Sequence, residues 1–199
     1  STPPTDPPTD PPTDPPTGPG EVLYRVNAGG AQVAATDGGP AWSADTPGNN
    51  SEFLSNAGSN NIFAGAGPID SLLLSDAGIP DSALSVERWD QQGNSEMAWA
   101  FEVAAGTSLQ VNLYLAETYL PLPDLNGDGA PTGDRIFDVS VDGSVPTAFN
   151  DLDVYAIAGN AFNKGISVSH TLVSAGIVDL EFIHGSQNPA IKAIEIVAI

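Results

Sequence analysis

The chain has 199 residues, of which five are Lys or Arg and 25 are Asp or Glu, so its formal net charge is -20. The length suits one domain of ordinary size, and the charge excludes nucleic acid and anionic lipid as expected partners, because both are bound through Lys and Arg clusters. The chain has no cysteine, which excludes disulfides and thiolate metal sites. No apolar run approaches the ~20 residues that span a bilayer, so membrane insertion is not expected.

Residues 1–20 form a four-residue repeat that reads STPP-TDPP-TDPP-TDPP-TGPG. Such a segment cannot bury enough apolar surface to fold, and its paired prolines favour a disordered or polyproline II spacer. A proline-rich ligand for a recognition domain is the less favoured alternative, because no basic residue flanks the prolines. The repeat predicts a linker over residues 1–20 and a folded domain over residues 21–199. The chain opens on serine, so we expect covalently linked neighbouring domains in a longer parent protein.

From residue 21 onward, short runs of β-branched and aromatic residues recur between Gly, Asn, Asp and Pro. Large apolar residues occupy alternate positions in two of these runs, at Trp99, Phe101 and Val103 and at Val178, Leu180 and Phe182. Such alternation is typical of strands with one face in a core and the other in water. The pattern predicts an all-β protein, an antiparallel β-sandwich of jelly-roll type with long loops at one end. Short helical pieces are expected only near residues 70–75 and 151–158.

Residues 107–142 contain two alternating segments separated by a polar loop. In the first segment, Leu113 and its alternate neighbours are expected to face a core, while Asn112 and Tyr114 are expected to face water. We predict that the two segments form a hairpin whose loop carries function, because loops on a rigid scaffold often hold binding residues. The span 29–80 is rich in small residues and is predicted to be a long irregular region with further binding residues.

The polar loop contains the sequence DLNGDG from residue 124, which has the spacing of calcium-binding loops. Alternate oxygen side chains can converge on one Ca²⁺, and glycine permits the sharp turn. The twelfth position should be a bidentate acid but is Arg135, so Asp134 would have to substitute. The loop predicts a Ca²⁺ site made of Asp124, Asn126, Asp128 and Asp134. The alternative is a solvated turn in an acidic protein.

Seven motifs carry a family resemblance over nearly all of residues 21–199. In chain order they are YRVNAGG, WSAD, ERW, LAETY, GDRIFDVSVDG, FNDLDVYAIAG and NPAIKAIEI. With these motifs the chain resembles the malectin family. The resemblance implies a β-sandwich of jelly-roll type that binds carbohydrate. It also implies an extracellular bacterial setting, because bacterial relatives are carbohydrate-binding modules of secreted enzymes or surface proteins.

The resemblance further implies that sugar contacts come from aromatic and acidic residues in loops at one end of the sandwich. The aromatic after Glu-Arg falls on Trp89, the tyrosine of the Ala-Glu motif falls on Tyr119, and Phe63 is the nearest candidate for the first loop aromatic. An exposed aromatic plane suits this task, because it packs against the C–H face of a sugar ring. The alternative for Trp89 is a core position, which its charged neighbours argue against. Trp42 and Trp99 are predicted to be core residues.

Two positions depart from the family pattern. Leu120 stands where the family has a second aromatic, and Gln187, which precedes Asn188, stands where the family has an aspartate. An amide still accepts hydrogen bonds from sugar hydroxyls and donates to them. We therefore keep all three residues as site candidates, but the family's glucose-disaccharide specificity is not carried over.

Catalysis is not expected, although acids are abundant. A glycosidase needs two carboxylates that flank one bond, and Glu87, Asp90 and Glu117 are available. In a chain with 25 Asp and Glu, however, the presence of three acids does not by itself indicate a catalytic site. The resemblance places Glu87 and Glu117 in structural motifs. His170 and His184 flank strand segments without a serine nucleophile motif. They are expected to be structural, with a histidine–histidine or histidine–carboxylate metal pair left open.

These observations predict a non-catalytic carbohydrate-binding module within a larger secreted or cell-surface bacterial protein. The partner would be an oligosaccharide or polysaccharide, and the module is expected to be a monomer. The alternative is a calcium-stabilised structural or adhesin spacer domain that binds no sugar.

Overall fold

The computed structural model describes residues 18–120 and 124–199. The predicted linker therefore lies outside the described residues up to position 17, as do positions 121–123 of the polar loop. At the start of the described chain, the backbone N–H of Gly20 donates to the carbonyl of Ala198 at 2.7 Å, which places the first described residues beside the last strand.

The described residues are dominated by β-strands, and the all-β prediction is confirmed. The strands are β1 (Val22–Ala28), β2 (Ser43–Asp45), β3 (Leu54–Asn56), β4 (Asn61–Ala64), β5 (Val86–Trp89), β6 (Met97–Glu102), β7 (Ser108–Leu115), β8 (Phe137–Val141), β9 (Ile166–Val173), β10 (Ile177–His184), β11 (Ala190–Ile191) and β12 (Ala193–Ala198). The short helices are α1 (Asp81–Leu84) and α2 (Val154–Ile157), with 3₁₀ turns at Leu72–Leu74 and Thr147–Phe149. Two of these four pieces fall within the predicted helical windows.

The strands form three sheets. The largest has the order β2-β1-β12-β7-β9, the second has the order β3-β6-β10-β8, and the third has the order β11-β5-β4. All pairings are antiparallel except the one between β1 and β2. The strand orders show that most neighbouring strands in a sheet are not consecutive in the chain. The tertiary fold therefore decides which residues meet.

The two larger sheets share one apolar core. Trp99 and Phe101 of β6 are fully buried in it, together with Leu113 of β7 and Ile194 of β12. Burying each such side chain contributes about 1.5–3 kcal/mol to stability. Trp42 is also fully buried, in a second and smaller cluster. The prediction that Trp42 and Trp99 are core residues is confirmed.

The predicted hairpin of residues 107–142 is wrong. β7 pairs with β9 and β12 in the largest sheet, whereas β8 pairs with β10 in the second sheet. Alternation in the sequence reports which side chains share a face of a strand, but it does not report the partner strand. The loop between β7 and β8 therefore crosses from one sheet to the other.

The outer face of β7 is also not in water. Asn112 and Tyr114 are 8% and 3% exposed. The segment predicted as an irregular loop contains β2, β3 and β4 and covers this face, so that the Tyr114 ring packs edge-on against Trp42 at 5.4 Å. The Tyr114 hydroxyl donates to Glu195 Oε2 at 2.8 Å. Burial, aided by the charge of Glu195, raises the pKa of Tyr114 well above its usual value.

Four of the five basic side chains are buried and paired with acids; they are Arg25, Arg88, Arg135 and Lys192. Arg88, for example, donates from Nε and Nη2 to the two carboxylate oxygens of Asp45 at 2.6 and 2.7 Å, and both residues are fully buried. Bidentate geometry is what makes such a buried pair tolerable. The consequence is that the described surface carries many acids and few cations.

Candidate functional site

The smallest sheet places three side chains of interest on one face. Glu87 and Trp89 lie two residues apart on β5 and therefore point the same way. Phe63 of β4 is paired directly with Glu87 in the antiparallel register, so its ring lies on the same face. Arg88 points to the opposite face, where it meets Asp45. An aromatic pair and a carboxylate are thus presented together by a two-strand pairing.

Tyr119 reaches this face from the chain that follows β7. Its backbone N–H donates to Glu117 Oε1 at 2.9 Å, which fixes the turn that carries the ring. The Tyr119 ring meets Phe63 edge-on with centroids 5.6 Å apart, and the guanidinium carbon of Arg135 lies 5.8 Å from its centroid. Tyr119 remains 42% exposed. The ring is therefore held in place yet accessible to a ligand.

Gln187 and Asn188 close the group from the chain that precedes β11. The backbone N–H of Gln92 donates to Asn188 Oδ1 at 3.0 Å, which ties this turn to the loop after β5. Together these segments enclose a pocket of about 160 Å³. Its lining residues are Phe63, Glu87, Trp89, Tyr119, Arg135, Gln187 and Asn188.

Five of the six positions named from the sequence thus line one pocket. Leu120 is the exception, because it is 51% exposed and does not line the pocket. The sequence patterns did not indicate Glu87 or Arg135 as site residues. Glu87 could have been found from its alternation with Trp89 on one strand. Arg135 had no such local signal, because it reaches the pocket from beyond the polar loop.

A buried charge cluster lies at the base of the pocket. Lys192 Nζ is 2.7 Å from Glu87 Oε2, and it donates to Thr118 Oγ1 at 2.8 Å. Arg135 Nη1 lies 3.2 Å from Glu117 Oε2 and 3.9 Å from Glu87 Oε1. The two carboxylates and two cations balance in formal charge, which offsets part of the desolvation that each suffers on burial.

Burial shifts the pKa of two groups in this cluster, Glu117 and Lys192. It raises the pKa of Glu117 in spite of the opposing charge of Arg135, and it lowers the pKa of Lys192 in spite of the opposing charge of Glu87. Apart from the ion pair between Arg135 Nη1 and Glu117 Oε2, the atoms Glu117 Oε2 and Arg135 Nε have no hydrogen-bond partner within the described chain. An enclosed space of about 10 Å³ lies between these groups, close to the ~10–15 Å³ that one water needs.

A family model for the malectin domain matches residues 22–194 of this sequence. The chain belongs to the malectin domain family. A search of curated protein sequences found no match to this malectin domain.

Solved structures share the fold of this malectin domain at low sequence identity. The ANX2 ectodomain from Arabidopsis thaliana superposes with a TM-score of 0.70 at 15% identity, over 89% of this chain and 50% of that one. A chain in the crystal structure of the plant peptide RALF23 in complex with FER and LLG2 superposes with a TM-score of 0.70 at 16% identity, over 89% of this chain and 48% of that one. A β-glucuronidase from Bacteroides uniformis superposes with a TM-score of 0.61 at 12% identity, over 88% of this chain and 18% of that one. The chain spans about half the length of the receptor ectodomains that it matches.

The aspartate loop of this malectin domain is folded by its own side chains. Asp124 accepts the backbone N–H groups of Gly127 and Gly129 at 2.7 and 3.1 Å. Asp134 Oδ1 accepts the N–H groups of Leu125 and Asn126 at 2.7 and 3.2 Å. Asn126 and Asp128 likewise accept N–H groups two residues onward, as in Asx turns. Each of the four side chains named for Ca²⁺ therefore has at least one oxygen that accepts a backbone N–H of the loop itself.

Within residues 18–120 and 124–199, no helix has the length and apolar composition needed to cross a membrane.

Proposed function

We propose that this domain is a non-catalytic carbohydrate-binding module whose site is the pocket around Trp89 and Tyr119. The observation that carries the proposal is the clustering of three aromatic rings with the amide side chains of Gln187 and Asn188 around one cavity. Aromatic planes take the C–H faces of a sugar, and amides read its hydroxyls in either hydrogen-bonding sense.

The size of the pocket supports a ligand that inserts one sugar ring. Its volume of about 160 Å³ is well below the ~300–1,000 Å³ of pockets that enclose drug-sized ligands. A longer glycan would therefore place a single ring between Trp89 and Tyr119 and leave its other rings against the rim. Binding by one module would be modest, and the tether to neighbouring domains would supply a high local concentration.

Glu87 and Arg135 would supply the polar contacts at the base of the pocket. Arg135 donates only and Glu87 accepts when ionised, so together they can hold a sugar hydroxyl from both sides. Their charges are already balanced by Glu117 and Lys192. We therefore infer a neutral glycan rather than a uronate, because a polyanion would also be repelled by a chain of net charge -20.

We further propose that the two larger sheets pack as a jelly-roll sandwich and that the parent is a secreted or surface bacterial protein. The proposal that the module is non-catalytic is supported by the contacts of Glu87 and Glu117. Each lies beside a buried cation, at 2.7 Å from Lys192 Nζ and 3.2 Å from Arg135 Nη1. Neither acid stands free as a nucleophile or general base.

Calcium remains a proposal for residues 124–134, with a bracing role beside Tyr119 rather than a direct contact to sugar. The support is the alternation of Asp124, Asn126 and Asp128 in exposed positions. Their oxygens accept loop N–H groups but keep lone pairs for an ion. A calcium-stabilised spacer domain without sugar binding is the second candidate function, and this loop is the observation that favours it.

A glycan array that includes neutral plant and algal polysaccharides, probed with and without Ca²⁺, tests the proposal. Retention on neutral glycans supports a carbohydrate-binding module. No binding to any glycan on the array, combined with a large thermal stabilisation by Ca²⁺, would favour the spacer domain. Release of products from the polysaccharides by this chain alone would overturn the non-catalytic assignment.

A further inference from the structure

His184 lies at the end of β10 and has an acceptor at each ring nitrogen. Its Nδ1 is 2.5 Å from Glu96 Oε2, and its Nε2 is 3.1 Å from the backbone carbonyl of Asp90. The side chain of His184 is only 9% exposed, whereas that of Glu96 is 29% exposed. The imidazole is therefore clamped in one orientation at the edge of the structure, with a path to solvent past Glu96.

Asp90 brings a second carboxylate to the same place. It follows Trp89 directly and is fully buried, and its oxygens accept the N–H groups of Ser59 and Met97 at 2.6 and 3.0 Å. These two hydrogen bonds hold the carboxylate rigidly and leave one lone pair on each oxygen free. One ligand atom each from Asp90, Glu96 and His184 lies within 4.8 Å of the others. No other group of three acidic or histidine side chains meets this criterion among residues 18–120 and 124–199.

We propose that Asp90, Glu96 and His184 form a binding site for a divalent transition metal, with Zn²⁺ as the preferred ion. One imidazole nitrogen with two carboxylates is a donor set that suits Zn²⁺, with water in the open position, whereas Ca²⁺ and Mg²⁺ prefer oxygen donors alone. The ion would bind Nδ1 of His184, the nitrogen that now contacts Glu96 Oε2.

The contact at the other ring nitrogen supports the same assignment. A metal-binding histidine usually donates its second N–H to a carbonyl or carboxylate, which fixes the tautomer and the ring orientation. Here the Asp90 carbonyl already accepts from Nε2 of His184. The ring can therefore keep this orientation when the contact between Nδ1 and Glu96 Oε2 opens to admit the ion.

The metal would join two separate parts of the chain. Asp90 and Glu96 lie at the two ends of the connection between β5 and β6, and His184 ends β10. The same connection contacts the pocket, because Gln92 donates to Asn188. The proposal stands independently of the carbohydrate proposal, because the three ligands do not line the aromatic pocket.

The chain has only two histidines, and this makes a direct test possible. Protein without an affinity tag, labelled with ¹⁵N in its imidazole groups, is titrated with Zn²⁺ in a large excess of Mg²⁺, which occupies exposed carboxylates. A large shift of the Nδ1 resonance of His184, with His170 unchanged, is the expected result. A shift of His170 instead, or of neither histidine, would overturn the proposal.

Calorimetric titration with Zn²⁺ of His184→Gln and Glu96→Gln gives a second readout. Loss of an outer partner of a metal ligand already costs about 10–100-fold in affinity, so removal of a ligand should cost at least about tenfold. His170→Gln and Asp124→Asn are the matched controls and should retain the affinity. Zn²⁺ binding that survives in both ligand variants would contradict the assignment. Glu96 is partly exposed, so its variant remains informative if His184→Gln fails to fold.

Discussion

Phe63 lies directly opposite Glu87 in the antiparallel pairing of β4 with β5. The pairing puts an aromatic ring and a buried carboxylate on the same face of a three-stranded sheet, while Trp89 extends that face by one alternate position. Tyr119, which follows a strand of the largest sheet, completes the group by packing against Phe63. The pocket is therefore assembled from two sheets.

Trp89→Ala and Tyr119→Ala should each weaken glycan binding by roughly 10- to 150-fold, because each removes about 1.5–3 kcal/mol of apolar contact with the sugar. Thermal unfolding should change little for Tyr119→Ala, since its ring is 42% exposed. Calorimetric titration with the best ligand from the array provides the measurement. Tyr155→Ala is the control, because Tyr155 packs against Phe162 and does not line the pocket. Full affinity in both site variants would disprove the site assignment.

Glu87→Gln should lower the free energy of unfolding by about 3–5 kcal/mol, because it leaves Lys192 buried without its nearest counter-charge. The double variant with Lys192→Met should recover part of this loss, since it removes the unpaired charge as well. Unfolding in guanidinium chloride measures the free energy of unfolding of the single and the double variant. If the double variant is less stable than Glu87→Gln alone, the buried pair is not the source of the loss.

Removal of Asp37 should change the acid stability of the domain. Hydrogen bonds from the Arg25 guanidinium hold the pKa of Asp37 at about 2, below its ordinary value of 3.8. A lowered carboxyl pKa stabilises the fold fully above about pH 4, and this contribution is lost as the pH falls to about 2. Asp37→Asn should therefore flatten the pH dependence of unfolding in this window.

Denaturant unfolding between pH 2 and pH 5 measures how steeply the free energy of unfolding depends on pH. Asp76→Asn is the matched control, because Asp76 is exposed and makes no ion pair among the described residues. An identical slope in the two variants would mean that the Arg25–Asp37 pair does not contribute to acid stability.

If residues 124–134 bind Ca²⁺, the ion at about 100 times its dissociation constant should stabilise the domain by about 2.7 kcal/mol. For a domain of this size, that corresponds to a rise in Tm of about 5–11 °C. Asp124→Asn and Asp128→Asn should abolish the rise seen by differential scanning calorimetry. Glu96→Gln should preserve it, because Glu96 is distant in sequence from this loop. A rise that persists in both aspartate variants would place Ca²⁺ elsewhere.

Salt should stabilise the domain. The formal net charge is -20 and four of five cations are buried, so acidic groups on the surface repel one another with little compensation. Raising NaCl from about 0.01 M to about 0.15 M shortens the screening length from ~30 to ~8 Å and should raise Tm. Sucrose at matched osmolality is the control for solvent effects other than screening. A Tm that falls with NaCl would contradict the prediction that repulsion between surface acids limits stability.

The sequence by itself determined the all-β class, the buried faces of β6 and β10, and the core positions of Trp42 and Trp99. The buried faces of β6 and β10, and with them Trp99, follow from local alternation, because a strand with apolar residues at every second position can bury only one set of side chains. The family resemblance also named five residues that line the pocket, three of them inside its motifs. Trp89 and Tyr119 were predictable because each lies in a recognisable local motif, whereas Phe63 was only the nearest aromatic in a region without one.

Only the tertiary structure decided which strands pair and what covers them. Alternation gave the two faces of β7 but could not show that Trp42 covers Tyr114, because the covering segment is distant in the chain. For the same reason, no local pattern placed Arg135 beside Glu117 or His184 beside Glu96. Charged groups are brought together by long-range pairing, and the energy of such contacts depends on burial that a linear pattern does not encode.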